Sequence, residues 1–130
     1  MKTFKKIHYH DTDCGGVVYY ANYLKYFEEA RTEYLLDKGV DIIELAKVNV
    51  WFAVRRVETD YKAPARYGDR LTILTKITKV KNASLEFLQE ARREDGLLVS
   101  ARTQLVCINR EFSARALPGE VIENLKENDL

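Results

Sequence analysis

Between Asn22 and Lys38 the apolar side chains return every three or four positions, through Tyr20, Tyr23, Leu24, Phe27, Ala30, Tyr34 and Leu35. That spacing predicts an amphipathic helix with one apolar face, with Glu28 and Glu29 opposite it. Asn22 reads as its N-cap, Lys38 suits the last turn, and Gly39 is placed for a C-terminal cap. After Asn49 the pattern changes. The segments Trp51 to Tyr61, Arg70 to Val80, Ser84 to Glu94 and Leu97 to Asn109 are rich in β-branched and aromatic residues and predict four strands. Their connections through Val80-Lys81-Asn82-Ala83 and Glu94-Asp95-Gly96 are short enough for antiparallel hairpins, and Asp95-Gly96 is a strong turn signal. A first strand is expected at Phe4 to His10. Short helices are expected at Asp41 to Lys47 and, behind Pro118-Gly119-Glu120, at Val121 to Glu127.

One strand, one long apolar helix and four antiparallel strands predict an α+β layer in which the sheet packs on the helix. A single helix cannot cover such a sheet. Trp51-Phe52-Ala53-Val54 and Leu97-Leu98-Val99 carry apolar groups on both faces, which predicts burial against another subunit in a homo-oligomer, at least a dimer. No repeat or Pro/Gly/Ser-rich linker interrupts residues 1–130, and the expectation is a single domain whose core buries about two-thirds of the unfolded surface.

Composition narrows the function classes. The 21 basic and 20 acidic residues nearly cancel and are interspersed, so charge implies neither a nucleic-acid partner nor a membrane surface. No run is apolar enough to insert in a membrane, and the basic N-terminus lacks the apolar core of a secretory signal. Two cysteines, Cys14 and Cys107, suggest neither a disulfide framework nor a zinc knuckle and suit a reducing cytoplasm, the expected location.

The chemistry concentrates in His8-Tyr9-His10-Asp11-Thr12-Asp13-Cys14-Gly15-Gly16, a polar turn holding two carboxylates that feeds into the start of the apolar helix. The first turn of a helix has backbone N–H groups without intrahelical partners, and these can polarise a carbonyl and stabilise a developing oxyanion. A nearby carboxylate can attack that carbonyl or activate water. A thioester suits so short a set of parts, because its thiol, with a pKa of about 8.5, leaves with little acid assistance. The three serines lie in no G-x-S-x-G elbow or Ser-His-Asp relay.

These residues carry a family resemblance. Tyr9 to Arg31, with the pattern D-T-D-x-x-G-V-V-Y-x-x-x-Y-L-x-x-x-E-x-A-R, resembles the 4-hydroxybenzoyl-CoA thioesterase superfamily, and within it the YbgC-like acyl-CoA thioesterases. Val54 to Asp69 resembles the same family's strand after the helix. The resemblance implies the hotdog fold, a long central helix wrapped by a five- to six-stranded antiparallel sheet, assembled as dimers or as dimers of dimers (a homotetramer) with active sites between subunits. It implies an acyl-CoA substrate in which coenzyme A is part of the substrate, with no metal and no further cofactor. In that family the second Asp of D-T-D is the catalytic carboxylate, here Asp13, and the backbone N–H seven residues on polarises the carbonyl, here that of Tyr20. Close relatives place His where this chain has Tyr20, so only the backbone role carries over. Tyr23 is a candidate lining residue of the acyl pocket, and Arg66 a candidate contact for the coenzyme A phosphates.

Read without the resemblance, Asp11 and Asp13 are turn-forming residues, and Asp11 stays structural even with it. Three other functions compete. His8 and His10, expected on one strand face next to Asp11, Asp13 and Cys14, suggest a metal-dependent hydrolase. A hotdog dehydratase would act on acyl thioesters without cleaving them, and a non-catalytic acyl-CoA-binding protein would keep the fold alone.

Overall fold

A computed structural model describes residues 1–129, with side chains described through residue 126. The elements follow the order β1 (Lys2–Lys6), a 3-10 turn at Tyr9–Asp11, α1 (Asn22–Asp37), α2 (Ile42–Lys47), β2 (Trp51–Tyr61), β3 (Arg70–Val80), β4 (Ser84–Arg93), β5 (Gly96–Ile108) and α3 (Gly119–Asp129). One five-stranded antiparallel sheet runs in the order β1-β3-β4-β5-β2, which leaves β1 and β2 at its edges.

Period-two alternation sets the inner face. Leu71, Ile73, Thr75 and Ile77 of β3, Leu85, Phe87, Gln89 and Ala91 of β4, and Val99, Ala101, Thr103, Leu105 and Cys107 of β5 are all buried. Against them α1 lays Tyr23, Tyr26, Phe27, Ala30, Arg31, Tyr34 and Leu35. Each fully buried large apolar side chain contributes about 1.5–3 kcal/mol, so this interface is the main source of stability. A polar belt of Arg31, Gln89, Thr75 and Thr103 separates two apolar clusters, one around Phe27 and the other around Tyr34 and Phe87.

Helix α1 closes at Gly39 as the sequence predicts, although it ends at Asp37 and leaves Lys38 as its C-cap, outside the last turn. Gly39 adopts φ 81°, the Val40 N–H bonds to the Leu35 carbonyl, and the Gly39 N–H bonds to the Leu36 carbonyl. That is a Schellman closure, and buried Val40 supplies its usual apolar contact. The helix start differs from expectation. Ala21 holds the N-cap position, and Asn22 instead donates its side-chain amide to the Asp11 carbonyl at 2.9 Å. Leu24 and Tyr20 are exposed, whereas Tyr26 and Arg31 take buried positions on the face.

The first strand is displaced too. It ends at Lys6, and His8 to Asp11 coil into the 3-10 turn, because the Asp11 carboxylate accepts the His8 N–H at 2.8 Å and draws the chain out of the ladder. His8 and His10 therefore share no strand face. Their rings still stack, with centroids 5.6 Å apart. Of the two segments expected to seek a partner, Leu98 and Val99 are buried within the chain. Edge strand β2 keeps Trp51, Val54, Val57 and Tyr61 exposed.

Candidate functional site

The loop after the 3-10 turn is a tight hairpin. Asp13 donates its N–H to the Val17 carbonyl at 3.0 Å, and its own carbonyl accepts the Gly16 N–H at 3.0 Å. An antiparallel bridge joins Thr12 to Val18. The Asp13 Oδ1 accepts the Gly15 N–H at 2.9 Å, an Asx turn that orients the exposed carboxylate and leaves Oδ2 without a partner among the described residues. A Cβ at position 15 would stand 3.2 Å from that Oδ1, and Gly16 takes φ 78°, so both glycines serve the geometry of Asp13.

Buried Asp11 ties this hairpin to α1. Its carbonyl accepts the Tyr19 N–H at 3.0 Å as well as the Asn22 amide. Burial opposes its ionisation, but the His8 N–H, the Tyr26 hydroxyl and the charges of His10 and Lys5 outweigh burial and hold the carboxyl below its ordinary range. The structural role expected for Asp11 is what its contacts describe.

With Tyr19 and Asn22 so anchored, the Tyr20 N–H at the threshold of α1 has no acceptor among the described residues. Its carbonyl on the other side accepts the Tyr61 hydroxyl at 3.1 Å, and the two rings meet edge to face. A groove of about 290 Å³ opens here, lined by Val17, Val18, Tyr20, Tyr23, Tyr61 and the segment from Lys62 to Pro64.

The candidates thus divide. Tyr20 and Tyr23 share the groove, and the Asp13 hairpin leads directly into its Val17 wall. Tyr23 presents its ring there, but its buried hydroxyl accepts the Ala65 N–H at 3.0 Å. Burial raises the Tyr23 pKa, and only the Ala65 N–H and Arg93 work against that, so the phenol stays neutral. Arg66 pairs its backbone with Val17 and donates its N–H to Asp69 at 2.8 Å, while its exposed side chain makes no ion pair among the described residues. It lies beside the groove lining without forming part of it.

Sequence reasoning missed Tyr61 and the Lys62–Pro64 segment as groove residues. They sit within the Val54 to Asp69 stretch that carried the second resemblance, but no periodicity marks a tyrosine that reaches a residue 41 positions earlier. For the metal alternative, no group of three His, Cys, Asp or Glu side chains among the described residues stands close enough to hold an ion.

Comparison with known proteins agrees with the fold. The profile of the Thioesterase superfamily matches residues 15–100, beginning just after Asp13. An acyl-CoA thioester hydrolase YbgC of Escherichia coli is 39% identical over 124 residues, covering 94% of this chain and 92% of the relative. A probable thioesterase from Bartonella henselae superposes with a TM-score of 0.87 at 34% identity, covering 91% of this chain and 98% of the other. A 1,4-dihydroxy-2-naphthoyl-CoA thioesterase from Synechocystis does so with a TM-score of 0.89 at 26% identity, covering 99% and 97%. With its five-stranded sheet packed on α1, the chain belongs to the thioesterase superfamily, as a hotdog-fold thioester hydrolase similar to the YbgC proteins.

Proposed function

We propose that this protein hydrolyses acyl-coenzyme A thioesters to a free carboxylic acid and coenzyme A, with Asp13 and the Tyr20 N–H as its working groups. The observation that carries this reading is the Tyr20 N–H at the groove, without an acceptor among the described residues and one hairpin away from a carboxylate oriented by its own Asx turn. The thioester carbonyl sits with its oxygen on the Tyr20 N–H, which stabilises the negative charge that builds on it. Asp13 either takes a proton from the attacking water or attacks the carbonyl itself and is released by water. On both routes the C–S bond breaks, the electron pair leaves with sulfur as a thiolate, and water supplies the oxygen of the product acid. Neither route requires a metal or redox cofactor.

Tyr23 and Tyr61 wall the path of the thioester, and Arg66 meets the phosphates of the coenzyme. The working unit is one domain acting in the cytoplasm as a homodimer or dimer of dimers. The exposed apolar side chains of edge strand β2 support a second copy there, because an unpaired edge with Trp51, Val54 and Val57 in water is a ready template for pairing. Among the described residues no helix is long and apolar enough to cross a membrane.

Thiol release from a panel of short, long and aromatic acyl-CoAs tests the reading. Asp13→Asn should keep the fold and oligomeric state and lower turnover by about 100-fold or more, the scale of a lost general base. Near-wild-type turnover in that variant rejects Asp13 as the catalytic carboxylate.

A further inference from the structure

Behind the groove one ion pair joins three parts of the fold. Arg93, the last residue of β4, donates from Nη1 to the Asp69 Oδ2 at 2.7 Å and to the Pro64 carbonyl at 3.2 Å. The same Oδ2 accepts the Arg66 N–H at 2.8 Å. Asp69 stands immediately before β3, so a single guanidinium ties the ends of two strands to the loop between β2 and β3. That loop supplies the groove wall at residues 62–64, while neither Arg93 nor Asp69 lines the groove. Burial opposes ionisation of Asp69, but the Arg66 N–H and the Arg93 guanidinium outweigh it and hold the carboxyl below its ordinary range.

The wall in turn carries the working groups. Pro64 lacks an N–H, so its carbonyl is its only backbone anchor, and Arg93 is the donor that takes it. Next to it, Ala65 offers its carbonyl to the Val18 N–H at 2.9 Å and its N–H to the Tyr23 hydroxyl at 3.0 Å. Arg66 pairs with Val17, whose carbonyl holds the Asp13 N–H. Val18 precedes Tyr20 by two residues. The placement of residues 64–66 therefore reaches the Asp13 hairpin, the approach to the Tyr20 N–H and the Tyr23 ring at once.

We propose that Arg93 and Asp69 are positioning residues, whose ion pair fixes the groove wall at residues 62–65 and through it the spacing between the Asp13 carboxylate and the Tyr20 N–H. Their effect on turnover rests on the hydrolase reading, whereas their hold on the wall does not. Both side chains are partly exposed, and ion pairs so placed contribute little to stability. The consequence of the pair is geometric, because a misplacement of about 1 Å between reacting groups can cost about 100-fold in rate.

Three variants of the full chain test it: Arg93→Met; Arg93→Lys, which keeps the charge; and Arg92→Met, which breaks the neighbouring arginine's bonds to Glu90 and the Asp95 carbonyl instead. Amide hydrogen exchange is read at Val18 and Ala65 against Thr103 and Leu105 of β5. Arg93→Met should speed exchange at the first two by about fivefold or more relative to the second two, because the wall opens locally. Its kcat should fall about tenfold, with KM within about threefold of wild type. Both Arg93→Lys and Arg92→Met should keep kcat within about threefold of wild type. Unchanged exchange at Val18 and Ala65 in Arg93→Met overturns the proposal. So does a wild-type kcat despite faster exchange, which makes the pair a structural contact only, and so does an equal loss of kcat in Arg93→Lys or Arg92→Met. A wild-type protein that releases no thiol from any acyl-CoA sinks the hydrolase reading alone, and exchange then judges the pair by itself.

Discussion

Gln89 is the hinge of the polar belt, and replacing it with leucine tests how α1 is held on the sheet. The side chain is 1% exposed; its Nε2 donates to the Phe27 carbonyl at 2.9 Å and to the Thr75 hydroxyl at 3.1 Å, and its Oε1 accepts from Arg31. Leucine nearly preserves the volume and removes all three bonds. Losing the one acceptor this buried guanidinium has among the described residues costs about 1.5–3 kcal/mol, and the two neutral bonds cost about 1 kcal/mol each. The added apolar surface returns about 1 kcal/mol. The net expectation is a loss of about 3 kcal/mol, or roughly 10 °C in Tm for a chain of this size. Urea unfolding followed by circular dichroism, at one fixed protein concentration because association shifts apparent stability, measures it. A cost below about 1 kcal/mol with an unchanged denaturant slope refutes the reasoning. The largest single part of the penalty is a charge left without its acceptor, so the double variant Arg31→Met/Gln89→Leu should cost at least about 1 kcal/mol less than the sum of the singles.

Two further predictions concern the groove and the carboxylates. Tyr61→Phe removes the hydroxyl that holds the Tyr20 carbonyl and keeps the ring. It should lower kcat about fivefold, equivalent to one net hydrogen bond, with KM and Tm nearly unchanged; a loss of Tm with kcat intact would make Tyr61 a structural contact only. For acid stability, the Thr78 hydroxyl most strongly lowers the Glu86 pKa, burial opposes it, and Arg102 and Gln104 add to the lowering. Asp11 is likewise held low. A lowered folded pKa contributes stability above the unfolded value of about 4, and that stability is lost as pH falls through the folded value. Stability should therefore be level from pH 7 to about 5 and decline below about 4. Glu86→Gln should flatten that decline, and an unchanged acid slope in the variant would remove Glu86 from the account.

The sequence alone determined every element whose defining contacts are local. Helix α1 and its glycine closure follow from three- and four-residue spacing, and β2 to β5 from alternation and short turns, because those hydrogen bonds and side-chain faces repeat over a few residues. The carboxylate hairpin and its family pattern are equally local. Where it failed, a distant partner or a competing side chain had overridden local preference. The Asp11 carboxylate ended β1 early, and the Asp11 carbonyl claimed Asn22 away from a capping role.

Only the tertiary structure could decide what meets across the fold. It locked the Tyr23 hydroxyl onto the Ala65 N–H, 42 residues away, and brought Arg31 to Gln89 across 58. It also set Tyr61 against Tyr20 and left the Tyr20 N–H without an acceptor among the described residues. Such contacts carry no sequence period, because they depend on which strand lies next to which and in what register. A one-residue slip in register turns every side chain of a strand to the other face, so these pairings belong to the sheet as a whole.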